Sequence, residues 1–287
     1  TGDAATPEAL ASHAILLPFI LATFHTGFNI INTAILIWFV PVIEKIVIWM
    51  VPSPKGETEL FRLKYIGGGP LGTAELSLNE AKLEIVHFGE ICYKGFGYLR
   101  SAVNETDPEK FEVLNDKLIK YEEITDSIEF EIASYLGEVS HAKVSSSALA
   151  RIKGSYRIIG EMESLGDSGE AIGRMLMRTY EHKRQFTSDM LHKLDKMMDL
   201  VDQAFEAMAE NLAIPIHEIS NINNAYVAES AINKYRDTLR EEHLEKLETE
   251  GYQYETGVFY IDIVNELEKM GDFIINISQT LISEKEI

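Results

Sequence analysis

Glu161-Met162-Glu163-Ser164-Leu165-Gly166-Asp167 is echoed 105 residues later by Glu266-Leu267-Glu268-Lys269-Met270-Gly271-Asp272. Five residues beyond each Asp stands an isoleucine, Ile172 and Ile277. A second echo joins Glu122-x-x-x-Asp126 to Glu229-x-x-x-Asn233 at an offset of 107. Self-similarity at a nearly constant offset marks a structural unit present twice.

Apolar spacing around the repeat is helical throughout. Ser77-Leu78-Asn79-Glu80 reads as a capping box that opens a first helix. Ala81, Ile85, Phe88, Cys92, Phe96, Leu99 and Val103 follow at intervals of three and four, one face of a helix. Asp107-Pro108 opens a second helix, and Gly137 is expected to close it. A third is expected near 146–182, with Leu149, Ile152, Tyr156, Ile159, Leu165, Ile172 and Leu176 inward. A fourth is expected near 187–212, a fifth from Pro215 to near Gly251, and a sixth from Glu255 to Ser283. Long helices joined by short turns pack as antiparallel neighbours. Residues 77–287 therefore read as two three-helix bundles, with repeats at about 77–182 and 187–283.

The start of the chain is of another kind. Between Ala14 and Ile43, about 30 residues carry no formal charge apart from a proton on His25. That is roughly 45 Å of helix, more than one simple crossing of a bilayer core, which takes about 20 residues. Pro18, Gly27 and Pro41 interrupt the run, so a short helix is expected near 8–24 and a full span near 29–51, with Trp38 and Trp49 as interfacial anchors. Residues 1–52 then form a membrane segment. Residues 53–76, rich in Pro and Gly, form a linker long enough to let the following domain move. Lys45, Lys55, Arg62 and Lys64 all follow the apolar run and no Lys or Arg precedes it. The positive-inside rule thus puts residues from about 53 onward in the cytoplasm, below the plasma (inner) membrane. The start has no basic n-region of a signal peptide and reads as a cut through a longer protein. His25 and Asn29, four apart on one face of the apolar helix, either line a transport pathway or hydrogen-bond to neighbouring helices.

Twenty-six basic residues stand against 46 acidic ones, a formal net charge of −20. Such a surface repels phosphate backbones and excludes nucleic acid as a partner. Cys92 is the single cysteine, so a disulfide framework and thiolate metal sites are excluded. The acidic pairs are the candidate chemistry: Glu122, Asp126, Glu163 and Asp167 in one half, Glu229, Asn233, Glu268 and Asp272 in the other. Like charges four apart on a helix repel. A shared cation offsets this, and oxygen-only ligation suits divalent ions or ferric iron. Among 46 acidic residues roughly seven such pairs arise by chance. The repeated Gly-Asp context, not the pair alone, is what singles these out.

The Glu-x-x-x-Asp pairs, with Leu165-Gly166-Asp167 and Met270-Gly271-Asp272, resemble the signature of the PhoU family. His25-Thr26-Gly27-Phe28-Asn29, entering an apolar helix, is similar to a segment of the bacterial sodium/phosphate cotransporter family, in which a PhoU-like domain often follows the membrane part. The resemblance implies a fold of paired three-helix bundles, metal ions at the acidic motifs, and sodium as the coupling ion of a longer phosphate transporter. It also implies regulation by the bundles rather than enzymatic activity, and is compatible with a homo-oligomer. Asn233 stands where the family often has Asp, which weakens the second site. Two rival readings stay open. One is an interaction module that needs no metal. The other is a di-iron bundle enzyme built on Glu84-x-x-His87 and Glu138-x-x-His141.

Overall fold

The structure is a computed structural model that describes residues 7–50, 63–70, 72–141, 144–182, 184–215, 218–247 and 254–285. It divides into two units, Thr1–Glu59 and Leu60–Ile287. The fold is all-α, with seven helices among the described residues.

In the first unit, α1 runs unbroken over Pro7–Met50. The two helices expected from Pro18, Gly27 and Pro41 are therefore one. A proline removes one backbone hydrogen bond and bends a helix. It ends the helix only where turn chemistry offers the chain another course, and Phe24–Phe28 contains no cluster of Ser, Asp or Pro to do so. Pro18–Phe39 comprises 22 residues of mean hydropathy 1.5, none of them buried. At 1.5 Å per residue this stretch is about 33 Å long, close to the thickness of a bilayer core. Trp38 is 82% exposed; the side chain of Trp49 lies outside the described residues.

The second unit holds α2 (Ala74–Val103), α3 (Pro108–Ser140), α4 (Ser146–Glu181), α5 (Ser188–Ala213), α6 (Asn223–Leu247) and α7 (Tyr254–Lys285). Helices α2, α3 and α4 pack mutually as one bundle, and α5, α6 and α7 as a second. The α4–α7 and α2–α5 contacts join them over a continuous apolar core. The seam between halves is close-packed: Gly89 on α2 faces Leu212, Met162 and Met208. Cys92 is buried beside it and its thiol donates weakly to the Met162 carbonyl. Burial pushes that thiol well above its ordinary pKa, so it acts as a small core side chain.

Polar side chains set most helix starts, and Asp107, Ser145 and Thr187 each accept a backbone N–H of the first turn. The capping box at Ser77 does not form. Helix α2 begins earlier, capped by Thr73, whose hydroxyl accepts from the Leu76 N–H. Ser77 is buried, and the Glu80 carboxylate accepts instead from the Tyr135 hydroxyl at 2.9 Å. Helix α3 passes through Gly137, which needs no turn there, and ends at Ser140. Helix α6 starts at Asn223 rather than Pro215. Pro215 makes a local turn with Glu218, Ile219 and Ile222 are buried in the core, and the Asn221 side chain accepts from the Asn223 N–H. Gly251, its expected end, lies outside the described residues. On α4, Leu149 and Tyr156 are 41% and 38% exposed rather than inward. The Tyr156 hydroxyl instead reaches the Ala133 carbonyl.

Residues 53–62 and 71 of the expected linker lie outside the described residues. The part that is described does not swing free. Ile66 is buried, and one oxygen of the buried Glu84 carboxylate accepts from the Lys64 and Tyr65 N–H groups at 2.8 and 2.6 Å. Two charge-assisted bonds tie residues 64 and 65 to α2, and Ile66 joins the apolar core.

Candidate metal centre

Gly166 lets α4 approach α3 closely. A Cβ added there would stand 2.1 Å from the Thr125 hydroxyl oxygen and 3.0 Å from the Thr125 Cβ. Thr125 is 1% exposed and its hydroxyl donates to the Glu122 carbonyl. The residues on either side of this contact are Asp126 and Asp167. Glu122 lies one turn before Asp126 on α3. Carboxylate oxygens of Glu122, Asp126 and Asp167 all come within 4.8 Å of one another, the one such set of acidic, His or Cys side chains among the described residues. Ligands facing one another across a hard cation stand about 4–5 Å apart, twice a metal–oxygen distance of roughly 2.1–2.4 Å. The spacing and the donors therefore fit a Mg²⁺, Mn²⁺, Ca²⁺ or Fe³⁺ ion.

Glu163, one turn before Asp167 on α4, joins the same acidic seam. With Asp126 and Glu129 it lines an open hollow whose rim carries the exposed Phe130. Partial burial, and then the surrounding carboxylates, raise the pKa values of Glu122, Glu163 and Asp167. Glu129 and Glu170 add to this repulsion but escape the repeat motif. A count of acidic residues one turn beyond each pair would have found them. Arg174 is bound to Glu170 and opposes part of the rise at Asp167, a partial counter-charge at the edge.

The second half keeps the backbone geometry but not the charge. Gly271 packs on Ile232 of α6, where an added Cβ would stand 2.9 Å from Ile232 Cδ1. The Asn233 amide donates to Glu229 at 2.5 Å. The Arg236 guanidinium donates to Glu268 at 2.6 Å and contacts Asp237 at 2.9 Å. Burial raises the Glu268 pKa, and Asp272 adds to this while Arg236 opposes it. Glu268 is thus paired with an arginine and Glu229 with the Asn233 amide, and a donor set that includes a guanidinium and an amide N–H does not fit a metal ion. The sequence already held the signal: 107 residues before Arg236 stands Glu129.

His25 and Asn29 belong to the first unit, where the Asn29 Nδ2 lies 3.1 Å from His25 Nδ1 on the exposed surface of α1. The di-iron pairs are not assembled among the described residues. Glu84 is taken by the Lys64 and Tyr65 amides, and the ring of His87 lies 3.1 Å from Glu90. His141 caps the end of α3 one turn past Glu138.

No family model matches the chain. The PhoU homologues of the phosphate-specific transport system in two strains of Streptococcus pneumoniae are 21% identical over 209 residues, covering 72% of this chain and 93% of theirs. The crystal structure of PhoU from Streptococcus pneumoniae, a phosphate transport system regulatory protein, superposes with a TM-score of 0.62 at 17% identity, over 74% of this chain and 97% of that one. The helical unit has the PhoU fold. PhoU from Pseudomonas aeruginosa agrees, with a TM-score of 0.56 at 14% identity over 98% of its chain. Nearly the whole of each PhoU is matched by about three quarters of this chain. The duplicated acidic motif accordingly lies within a PhoU-like pair of bundles.

Proposed function

We propose that this chain regulates phosphate movement across a membrane. In this reading the PhoU-like bundles are the regulatory part, and α1 is the last membrane-embedded piece of a sodium-dependent phosphate transporter. The observation that carries it is the union, in one chain, of a fold matched over 97% of a phosphate transport regulator with a 22-residue apolar stretch of which no residue is buried. A helix with that surface is stable in lipid and not in water. The cations that follow it support a plasma-membrane location with the bundles on the cytoplasmic side. Sodium is then the coupling ion and phosphate the cargo of the complete protein. His25 and Asn29 face either its pathway or its neighbouring helices.

Glu122, Asp126 and Asp167, with Glu163 beside them, hold a hard cation in the first half. The ion supplies positive charge to a seam where carboxylates of two helices repel one another. Its binding therefore draws α3 and α4 together, a packing change that the core shared with α7 can pass on. The test is labelled phosphate uptake by cells expressing the complete coding sequence, with and without residues 63–287. Uptake that requires sodium, and whose rate changes when the bundles are removed, is expected. Uptake indifferent to both sodium and the deletion refutes the reading.

A further inference from the structure

The two halves share a fold and a motif, yet one residue inverts the charge between them. Glu129 in the first half stands in the repeat where Arg236 stands in the second. The substitution is read out at equivalent carboxylates. Glu129 adds to the repulsion that Glu163 feels, whereas Arg236 attracts Glu268, the repeat partner of Glu163, and donates to it at 2.6 Å. The neighbouring change from Asp126 to Asn233 acts in the same direction. The Asn233 amide satisfies Glu229 from within the protein. Counted over equivalent positions, the first half has five acidic groups, Glu122, Asp126, Glu129, Glu163 and Asp167. The second has three, Glu229, Glu268 and Asp272, and Asp237 beside them, against one fixed cation that contacts both Glu268 and Asp237. The guanidinium bonded to Glu268 and in contact with Asp237 supplies positive charge to the second half as a metal would.

We propose that the Arg236 guanidinium is the resident cation of the second half, so that a metal ion is taken up between α3 and α4 and not between α6 and α7. The duplicated motif then holds one exchangeable cation and one permanent one. The first half responds to metal supply while the second is held in a single packing state whatever the supply. This rests on the reading of the first cluster as a metal centre.

The experiment is a titration of the chelator-stripped full chain, in detergent, with Mn²⁺, bound ion being counted by electron paramagnetic resonance and helix content checked by circular dichroism. Wild-type binding is expected to weaken at least tenfold in Glu122→Gln and to stay within twofold in Glu268→Gln. Arg236→Glu is expected to acquire a further Mn²⁺ site that Glu268→Gln removes again. Should Arg236→Glu lose helix content, Arg236→Gln takes its place, with a weaker gained site expected. A tenfold loss in Glu268→Gln alone, or no gained site in a folded Arg236 variant, overturns the proposal. Wild type that binds no Mn²⁺ defeats the first cluster as a metal centre. The Arg236 variants still decide the inference in that case, since only a gained, Glu268-dependent site supports it.

Discussion

Replacing Gly166 with alanine isolates the contact that builds the acidic cluster. The new Cβ would stand 2.1 Å from Thr125 Oγ1, 3.0 Å from its Cβ and 3.1 Å from its Cγ2. Turning the threonine side chain moves Oγ1 away but leaves its Cβ where it is, so the helices themselves must part. Restoring ordinary carbon contact at roughly 3.5–4.0 Å requires a shift of about 0.5–1 Å. Overpacking of this kind costs about 1–3 kcal/mol, and exchanging glycine for alanine within a helix returns about 1 kcal/mol. The net expectation is a loss of about 1 kcal/mol. Gly160 and Gly169 lie on the same helix with nothing within 4 Å of an added Cβ. Alanine there returns the helix term alone, a gain of about 1 kcal/mol. Gly166→Ala should thus melt roughly 4–8 °C below Gly160→Ala, at about 2–4 °C per kcal/mol for a domain of this size. Thr125→Ala in the Gly166→Ala background should recover part of the difference, as a double-mutant cycle will show. Gly166→Ala melting at or above Gly160→Ala refutes the close-packing argument.

Other outcomes follow from the same structure. Burial and mutual repulsion hold Asp167 protonated to higher pH in the folded chain than in the unfolded one. The stability this contributes is complete below the ordinary Asp range and lost as pH rises through the raised value. Above that window Asp167→Asn should melt higher than wild type without metal and lower with saturating Mn²⁺; the same order in both conditions contradicts the cluster's role. Arg100 on α2 pairs with Asp195 and Asp199 and lies near Asp202 on α5. Arg100→Ala should cost about 1 kcal/mol at low salt, a difference that 1 M NaCl shrinks, as denaturant unfolding will measure. Glu84→Gln weakens the bonds to the Lys64 and Tyr65 amides by about 1 kcal/mol, so hydrogen exchange at those two amides should quicken several-fold while the centre of α2 stays protected.

Much of this architecture is legible in the chain itself. The seven inward residues named for the first bundle helix, from Ala81 to Val103, are all buried. Helical periodicity reports directly on which face meets the core, and that face is a local property. Asp107-Pro108 caps α3 for a similar reason. Two errors arise where a distant residue or the core claims a local signal. Glu80 has the spacing of a capping box, but Tyr135 on another helix takes its carboxylate. Pro215 has the look of a helix start, but burial of Ile219 and Ile222 delays the helix to Asn223. Glycines near the acidic motifs are explained by Thr125 and Ile232 across the helix interface. The acidic pairs themselves were readable. Arg236, which separates the two halves chemically, lies outside the repeated phrase and matters only because α6 carries it to Glu268.

The most direct measurement is anomalous diffraction at the manganese edge from crystals of the chain grown with Mn²⁺. A peak bounded by Glu122, Asp126 and Asp167, with no peak beside Arg236 and Glu268, is the expected result. Density for manganese beside Glu268 and Asp272, or none at the α3–α4 cluster, would contradict it.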